Sequence, residues 1–233
     1  MVDLTAEMGK LRASLGPVRA GRARVLQFVA SVGGEGTSTV AREFARVAAA
    51  QARRPVWLVD ADLEQQRQLH ALASEPARFG ELGEEAGVSP DGSAFFKVEP
   101  PLQGRDGRPL APVRMAFARP ALGGRLWVTA LRREVLGRGQ ALQIDPAPDY
   151  WSALRRHASD IVVDAPAAER SDIAIKLAPL VDFTVLVVAA EAAAPEAALI
   201  LRQAIEAAGG RVAGLVFNRA ETAPPRLLRR LAP

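Results

Sequence analysis

An α/β fold with a central, mostly parallel sheet is what this chain of 233 residues predicts, on three observations. Short continuous apolar runs alternate with helix-length stretches, the rhythm of strand–helix units joined by right-handed crossovers. Two of these runs end in carboxylates: Val56-Trp57-Leu58-Val59 at Asp60-Ala61-Asp62, and Ile161-Val162-Val163 at Asp164. Strands buried in a parallel sheet read this way when their C-terminal ends share one edge. A third run, Val25 to Val29, feeds a glycine-rich turn that opens an alanine-rich helix.

The elements follow in order. A first helix is expected from about Leu4 to Leu15, stopped by Gly16-Pro17. A strand at Val25–Val29 leads through the turn into a helix from Ser38 to Arg53, with Val40, Phe44, Val47 and Ala48 on one face. Pro55 opens the strand Val56–Val59. From about Ser74 to Pro148 the pattern is irregular and rich in Gly and Pro, with β-like pieces at Ala94–Val98, Val113–Ala118 and Arg125–Leu131. The turn Gln103–Pro109 would join two of them as a hairpin. Regular alternation then returns with a helix at Trp151–Ala158, a strand at Ile161–Val163 and a helix at Ile173–Leu180. A strand at Val181–Ala189, a helix at Pro195–Ala208 and a last strand at Val212–Phe217 follow. There is no internal repeat. The chain reads as a single domain over 1–233, with an N-terminal helix in 1–20, an irregular β-containing insert at 74–148 and a loose basic tail at 222–233.

Composition sets bounds on function. The 49% hydrophobic content supports a sizeable core, but aromatics are only 5%, so Ala, Val, Leu and Ile must fill it. Of the 30 basic residues only Lys10, Lys97 and Lys176 are lysines, which leaves 27 arginines. The formal charge of +4 permits anionic partners without selecting one. With no cysteine, disulfides and thiolate metal sites are excluded. No run of 18 apolar residues and no basic-then-apolar leader occurs, so a cytoplasmic protein is expected.

The turn Val32-Gly33-Gly34-Glu35-Gly36-Thr37-Ser38-Thr39 has the build of a phosphate-binding loop. Glycines let backbone N–H groups crowd round phosphates, and the helix N-terminus adds partial positive charge. Such a loop needs a lysine to reach the β- and γ-phosphates and a hydroxyl to hold magnesium. The hydroxyls of Ser38 and Thr39 are present, but Thr37 holds the lysine position. The strand-end carboxylates Asp60, Asp62 and Asp164 should converge beside the loop, where oxygen ligands suit magnesium. His70 and His157 lack metal-type spacing and read as surface residues. Trp57 reads as core, and so do Trp127 and the Phe95-Phe96 pair, with a partner surface as the alternative for those three.

This motif series resembles the bacterial tyrosine kinases, within the wider P-loop group that includes the MinD and ParA ATPases. The segments that carry the resemblance are Val32–Ala41, Leu58–Leu63, Val162–Pro166, Asp172–Asp182 and Gly214–Asn218. Leu11-Arg12-Ala13-Ser14-Leu15 is similar to the helix by which those kinases pack into rings. The resemblance implies a P-loop NTPase-like three-layer sandwich that binds ATP or ADP with magnesium. It gives Gly33, Gly34, Glu35, Gly36, Thr37, Ser38, Thr39 and Asn218 to the nucleotide, with Asn218 facing the base. Ser38, Asp60 and Asp164 would serve magnesium, and Asp62 would be the base towards an incoming tyrosine. It also implies a role in exopolysaccharide or capsule assembly, self-association, and a membrane-embedded chain-length regulator as partner, which would hold the protein at the inner membrane.

Several departures weaken the activity that the resemblance implies. Thr37 replaces the lysine, Val32 stands where MinD and ParA proteins carry their signature lysine, and Glu64 replaces a usual basic residue. Tyr150 is the only tyrosine, so there is no tyrosine-rich tail. Loss of one electrostatic stabiliser costs about 10²–10³ in rate. The expectation is a nucleotide-binding regulatory or scaffolding protein with little or no kinase activity. The alternatives are an ATPase or kinase supplied with a cation by a neighbouring subunit, and a MinD- or ParA-like positioning ATPase. Nucleic acid is not an expected partner.

Overall fold

The computed structural model describes residues 3–18, 21–101, 103–104, 107–108, 110–190 and 195–219. The tail expected at 222–233 lies outside them.

Seven strands form one sheet in the order β4-β5-β2-β7-β1-β8-β9. They are β1 (Arg24–Ala30), β2 (Val56–Asp60), β4 (Ala116–Ala121), β5 (Leu126–Leu131), β7 (Asp160–Asp164), β8 (Phe183–Ala189) and β9 (Val212–Asn218). All neighbours run parallel except β4 and β5, which pair antiparallel at one edge. The strands β3 (Phe96–Glu99) and β6 (Ala141–Ile144) form a separate antiparallel ribbon.

Side chains on alternate faces of a strand build two different cores. Leu26, Phe28, Leu58, Val162 and Val185 face α2 (Thr37–Gln51), whose buried stripe is Val40, Phe44, Val47 and Ala48. The helix α1 (Thr5–Ser14) lies beside α2, with Met8 buried and Arg12 Nη1 donating to Gln51 Oε1. Two short helices, α3 (Gln68–Ala73) and α4 (Pro76–Phe79), complete this layer through Leu72 and Phe79. On the other face Val25, Trp57, Val59, Ile161 and Val163 meet α5 (Asp149–His157) and the β3–β6 ribbon. There Phe95, Tyr150 and Trp151 pack ring against ring, and Trp57 stacks on Trp127. The helices α6 (Ile173–Leu177) and α7 (Pro195–Ala207) cover β1 and β8 through Ala174, Leu201 and Ile205. This is a three-layer α/β sandwich, as expected.

Two expectations for the middle segment change. Residues 74–148 contribute β4 and β5 to the main sheet as well as the separate ribbon. The turn at Gln103–Pro109 joins no hairpin: β3 pairs with β6, and the β4–β5 hairpin turns at Leu122–Gly124. The glycines at 104 and 107 do make a local turn, with Gly104 N donating to Arg108 O. Local turn chemistry was readable, but the partner of β3 lies some forty residues away, beyond the reach of a hairpin rule. No helix of the described residues is long and apolar enough to cross a membrane.

Candidate functional site

Residues 31–36 leave β1 between its neighbours β7 and β8 and enter α2. Gly34 and Gly36 have φ of 84° and 89°, the left-handed region that side chains disfavour. A Cβ on Gly36 would lie 2.2 Å from Asn218 Nδ2, which donates to Glu35 O at 2.8 Å. Asn218, expected to face the base, props the loop from the end of β9 and is not among the residues that line the cavity. The Glu35 carboxylate is buried and does not line the cavity beside the loop. It accepts from Val32 N and from Ala189 N, both at 3.2 Å, tying the loop to itself and to the end of β8. Its part in a cradle is its backbone. No side chain caps α2, so its first-turn amides at Thr37 and Ser38 remain open to an anion.

The cavity beside the loop measures about 500 Å³, within the range of ligand sites. Gly33, Gly34, Gly36, Thr37, Ser38 and Thr39 line one wall, and Asp60, Asp62 and Asp164 another. The sheet register explains the second wall, because Asp60 and Asp164 are direct partners on β2 and β7.

The three acids differ in their surroundings. Asp60 is buried; its oxygens accept from Asp62 N at 3.1 Å and Gln68 N at 3.0 Å, and its own N–H donates to Thr129 Oγ1. Burial, and then the Asp164 charge, push its carboxyl well above the usual range. Asp164 Oδ2 accepts from Gln68 Nε2 at 2.6 Å, while Oδ1 is buried with no partner. Burial pushes Asp164 up to about 6, against the opposing pull of Gln68 and Ser38. Asp62 is held differently. Its Oδ1 accepts from Glu64 N and Gln65 N, and its Oδ2 is ion-paired with Arg170.

Gln68 has no counterpart in the sequence reading. It is wholly buried, and its amide bridges three elements, donating to Ser38 O at 2.9 Å and to Asp164 and accepting from Arg42 Nη1 at 3.1 Å. Nearby, Gln66 adopts φ of 44° and donates to Asp60 O and Asp62 O, while its Oε1 accepts from Leu131 N. These two glutamines fix the turn after β2. Arginines were also missed. Arg42, Arg67, Arg170 and Arg219 all line the cavity. Arg42 is half-buried, and burial lowers its pKa, opposed by Glu75, Glu43 and Asp164. Lys176 is not among the lining residues; it pairs with Asp172 on the surface. Glu169, next to Arg170, accepts from Gly33 N at 2.6 Å.

The raised acids give a stability prediction. Asp164 has a higher pKa folded than unfolded, so the folded state binds its proton more tightly between about pH 4 and 6. Its favourable contribution is complete below the unfolded value and is lost as pH rises through about 6. At pH 7.5 the ionised group is a cost. Asp164→Asn is expected to raise stability there by about 1–3 kcal/mol and to give no gain near pH 4. Urea unfolding at both pH values checks this; equal effects at both would count against a buried charge.

No protein-family model and no curated protein sequence matches the chain. Solved structures match its fold. The kinase domain of the Escherichia coli tyrosine kinase ETK superposes with a TM-score of 0.60 at 19% identity, over 95% of this chain and 79% of that one. The VpsO kinase domain gives 0.61 at 19%, over 94% of this chain and 96% of that one. The septum site-determining protein MinD of Pyrococcus horikoshii, complexed with Mg-ADP, gives 0.56 at 16%, over 90% and 77%. The chain thus has the P-loop fold of these kinase and MinD domains.

Proposed function

We propose that this chain is a nucleotide-binding, tyrosine-kinase-like component of exopolysaccharide or capsule biosynthesis or export, regulatory or scaffolding in role, with little or no kinase activity. One observation carries the reading: an open amide cradle stands beside disarmed chemistry. Thr37 sits in the lysine's place at the head of α2, and Asp62, the expected base, is neutralised by Arg170. Mg-ADP in the Pyrococcus MinD structure supports a nucleotide on the equivalent fold.

Magnesium fits the residues present, since the buried Asp164 Oδ1 lacks a partner. Ser38 and Asp164 would hold it. Asp60 serves better as the anchor of the turn, because both of its oxygens already accept backbone N–H groups. Among the described residues no group of three or more His, Cys, Asp or Glu could hold a metal, which suits an ion that draws most of its ligands from phosphate and water. When bound, magnesium supplies charge neutralisation on the phosphates.

The only tyrosine, Tyr150, is fully buried, so the chain offers no accessible acceptor of its own. A regulatory part then implies association with a membrane-embedded chain-length regulator, and with further copies of the chain, at the inner membrane. Isothermal titration tests the nucleotide half of the reading. Mg-ADP is expected to bind with a dissociation constant below about 1 mM, worth at least about 4 kcal/mol. No heat at millimolar nucleotide would reduce the protein to a scaffold.

A second reading, an active ATPase, draws on the arginines at the cavity. Arg67 and Arg219 are exposed there and have no side-chain partner among the described residues. They would supply a cation from within the chain rather than from a neighbour.

A further inference from the structure

We propose that Glu169 sets the phosphate specificity of this site, disfavouring a nucleoside triphosphate so that the diphosphate is the preferred ligand. The inference rests on the nucleotide reading above and adds to it a residue and a ligand class. The Glu169 carboxylate accepts from Gly33 N at 2.6 Å, so one amide of the cradle already carries an oxyanion from the chain itself. A carboxylate oxygen and a phosphate oxygen make the same kind of bond to a backbone N–H, and they compete for it.

The competitor is built in. Its backbone is pinned to the junction of β1 and the loop, with Glu169 N donating to Ser31 O at 3.1 Å and Ala168 N to Ala30 O at 2.9 Å. A Cβ placed on Gly33 would lie only 3.0 Å from the carboxylate oxygen, so the side chain rests directly on the loop. Yet the residue is exposed, free to swing out by side-chain rotation alone.

Position along the cradle decides which phosphate is affected. The amides left open lie at the head of α2, on the side of Gly36 and Asn218. Gly33 lies at the other end, towards the turn that follows Asp164 on β7. Two phosphates seated over the first turn of α2 leave Gly33 to Glu169. A third, extending towards the acids, meets a like charge. No lysine at 37 offsets that repulsion, and Arg170, beside Glu169 in the chain, is engaged by Asp62, so any offset falls to Arg67 and Arg219 across the same cavity.

The test is titration of the wild type, Glu169→Ala and Glu169→Gln with Mg-ADP and with a magnesium complex of a non-hydrolysable ATP analogue. The wild type is expected to favour the diphosphate by about tenfold. Glu169→Ala removes charge and hydrogen bond together and should bring the ratio of the two dissociation constants close to one. Glu169→Gln drops the charge but keeps an acceptor, and should fall between. A wild type that favours the triphosphate, or a ratio that both variants leave in place, overturns the proposal while the nucleotide reading stands. If no form binds either ligand, both fall. Because Glu169 is exposed, unfolding curves without nucleotide should coincide for the three proteins, and a loss of fold would be visible there.

Discussion

Replacing Gln68 by leucine is expected to cost about 3–5 kcal/mol of stability and to remove nucleotide binding. Leucine is close in size, so packing changes little, but three groups lose their partner at once. Ser38 O and Asp164 Oδ2 no longer have the Nε2 donor, and Arg42 Nη1 no longer has an acceptor. Asp164 is then a buried charge and Arg42 a half-buried one with less compensation, which is the costly way to break a polar network. The bond from Gln68 N to Asp60 Oδ2 is made by backbone and persists. Ser38 and Asp164, the pair that would hold magnesium, are both held by this amide, so their relative placement should loosen. Urea unfolding measures the first effect and Mg-ADP titration the second. A loss under about 1 kcal/mol with binding intact would mean that the bridge is dispensable.

The second large effect belongs to Gly36. Gly36→Val should destabilise the protein by about 2–4 kcal/mol and close the cradle. Two causes are separable. The backbone at φ 89° is strained for a β-branched residue whatever its surroundings. A Cβ also collides with Asn218 Nδ2, and clearing it breaks the bond to Glu35 O. Gly36→Ala combined with Asn218→Ala removes the collision but leaves the strain. That double variant is expected to recover part of the loss shown by Gly36→Ala alone, relative to Asn218→Ala as its background. Full additivity of the two single changes would show that the contact carries no energy.

The parts of this molecule legible in its sequence are those fixed by local pattern. Continuous apolar runs named β1, β2, β7 and β8, because strands buried on both faces have no polar side to show, and β9 showed the same run although it is a partly buried edge strand. Carboxylates at two strand ends marked the site edge for the same reason: Asp60 and Asp164 are where a hydrophobic run must stop. The glycine turn was readable because Gly34 and Gly36 take backbone angles that other residues avoid. What stayed hidden was set by tertiary placement. Strand β4 contains Arg119 and Pro120 and is buried only in part, as edge strands are, so its membership of the main sheet had no strong signal. Gln68, Glu169 and Arg170 lie in turns or at a short helix start, with no periodicity. Their importance comes from the neighbours that β2, β7 and the loop bring together. A cluster of neutral glutamines just beyond Asp62 was the one available hint, since three in four positions is unusual next to an acidic strand end.

The cavity supplies cations of its own beside the lost lysine. A missing cation in a loop of this kind suggested help from a neighbouring subunit. The arginines at 42, 67, 170 and 219 line the same cavity from within the chain. Of these, Arg170 is matched to Asp62 and Arg42 to Gln68, so two are committed to holding the site together. Ligand retention without turnover, the physical core of the proposed role, requires that Arg67 and Arg219 also give no help to the chemistry.

Incubation of the purified wild type with γ-labelled ATP and magnesium, alongside Asp62→Ala, tests that core most directly. The account predicts no label on the protein and phosphate release from the wild type no faster than from the variant. Rapid release by the wild type that Asp62→Ala abolishes would contradict it.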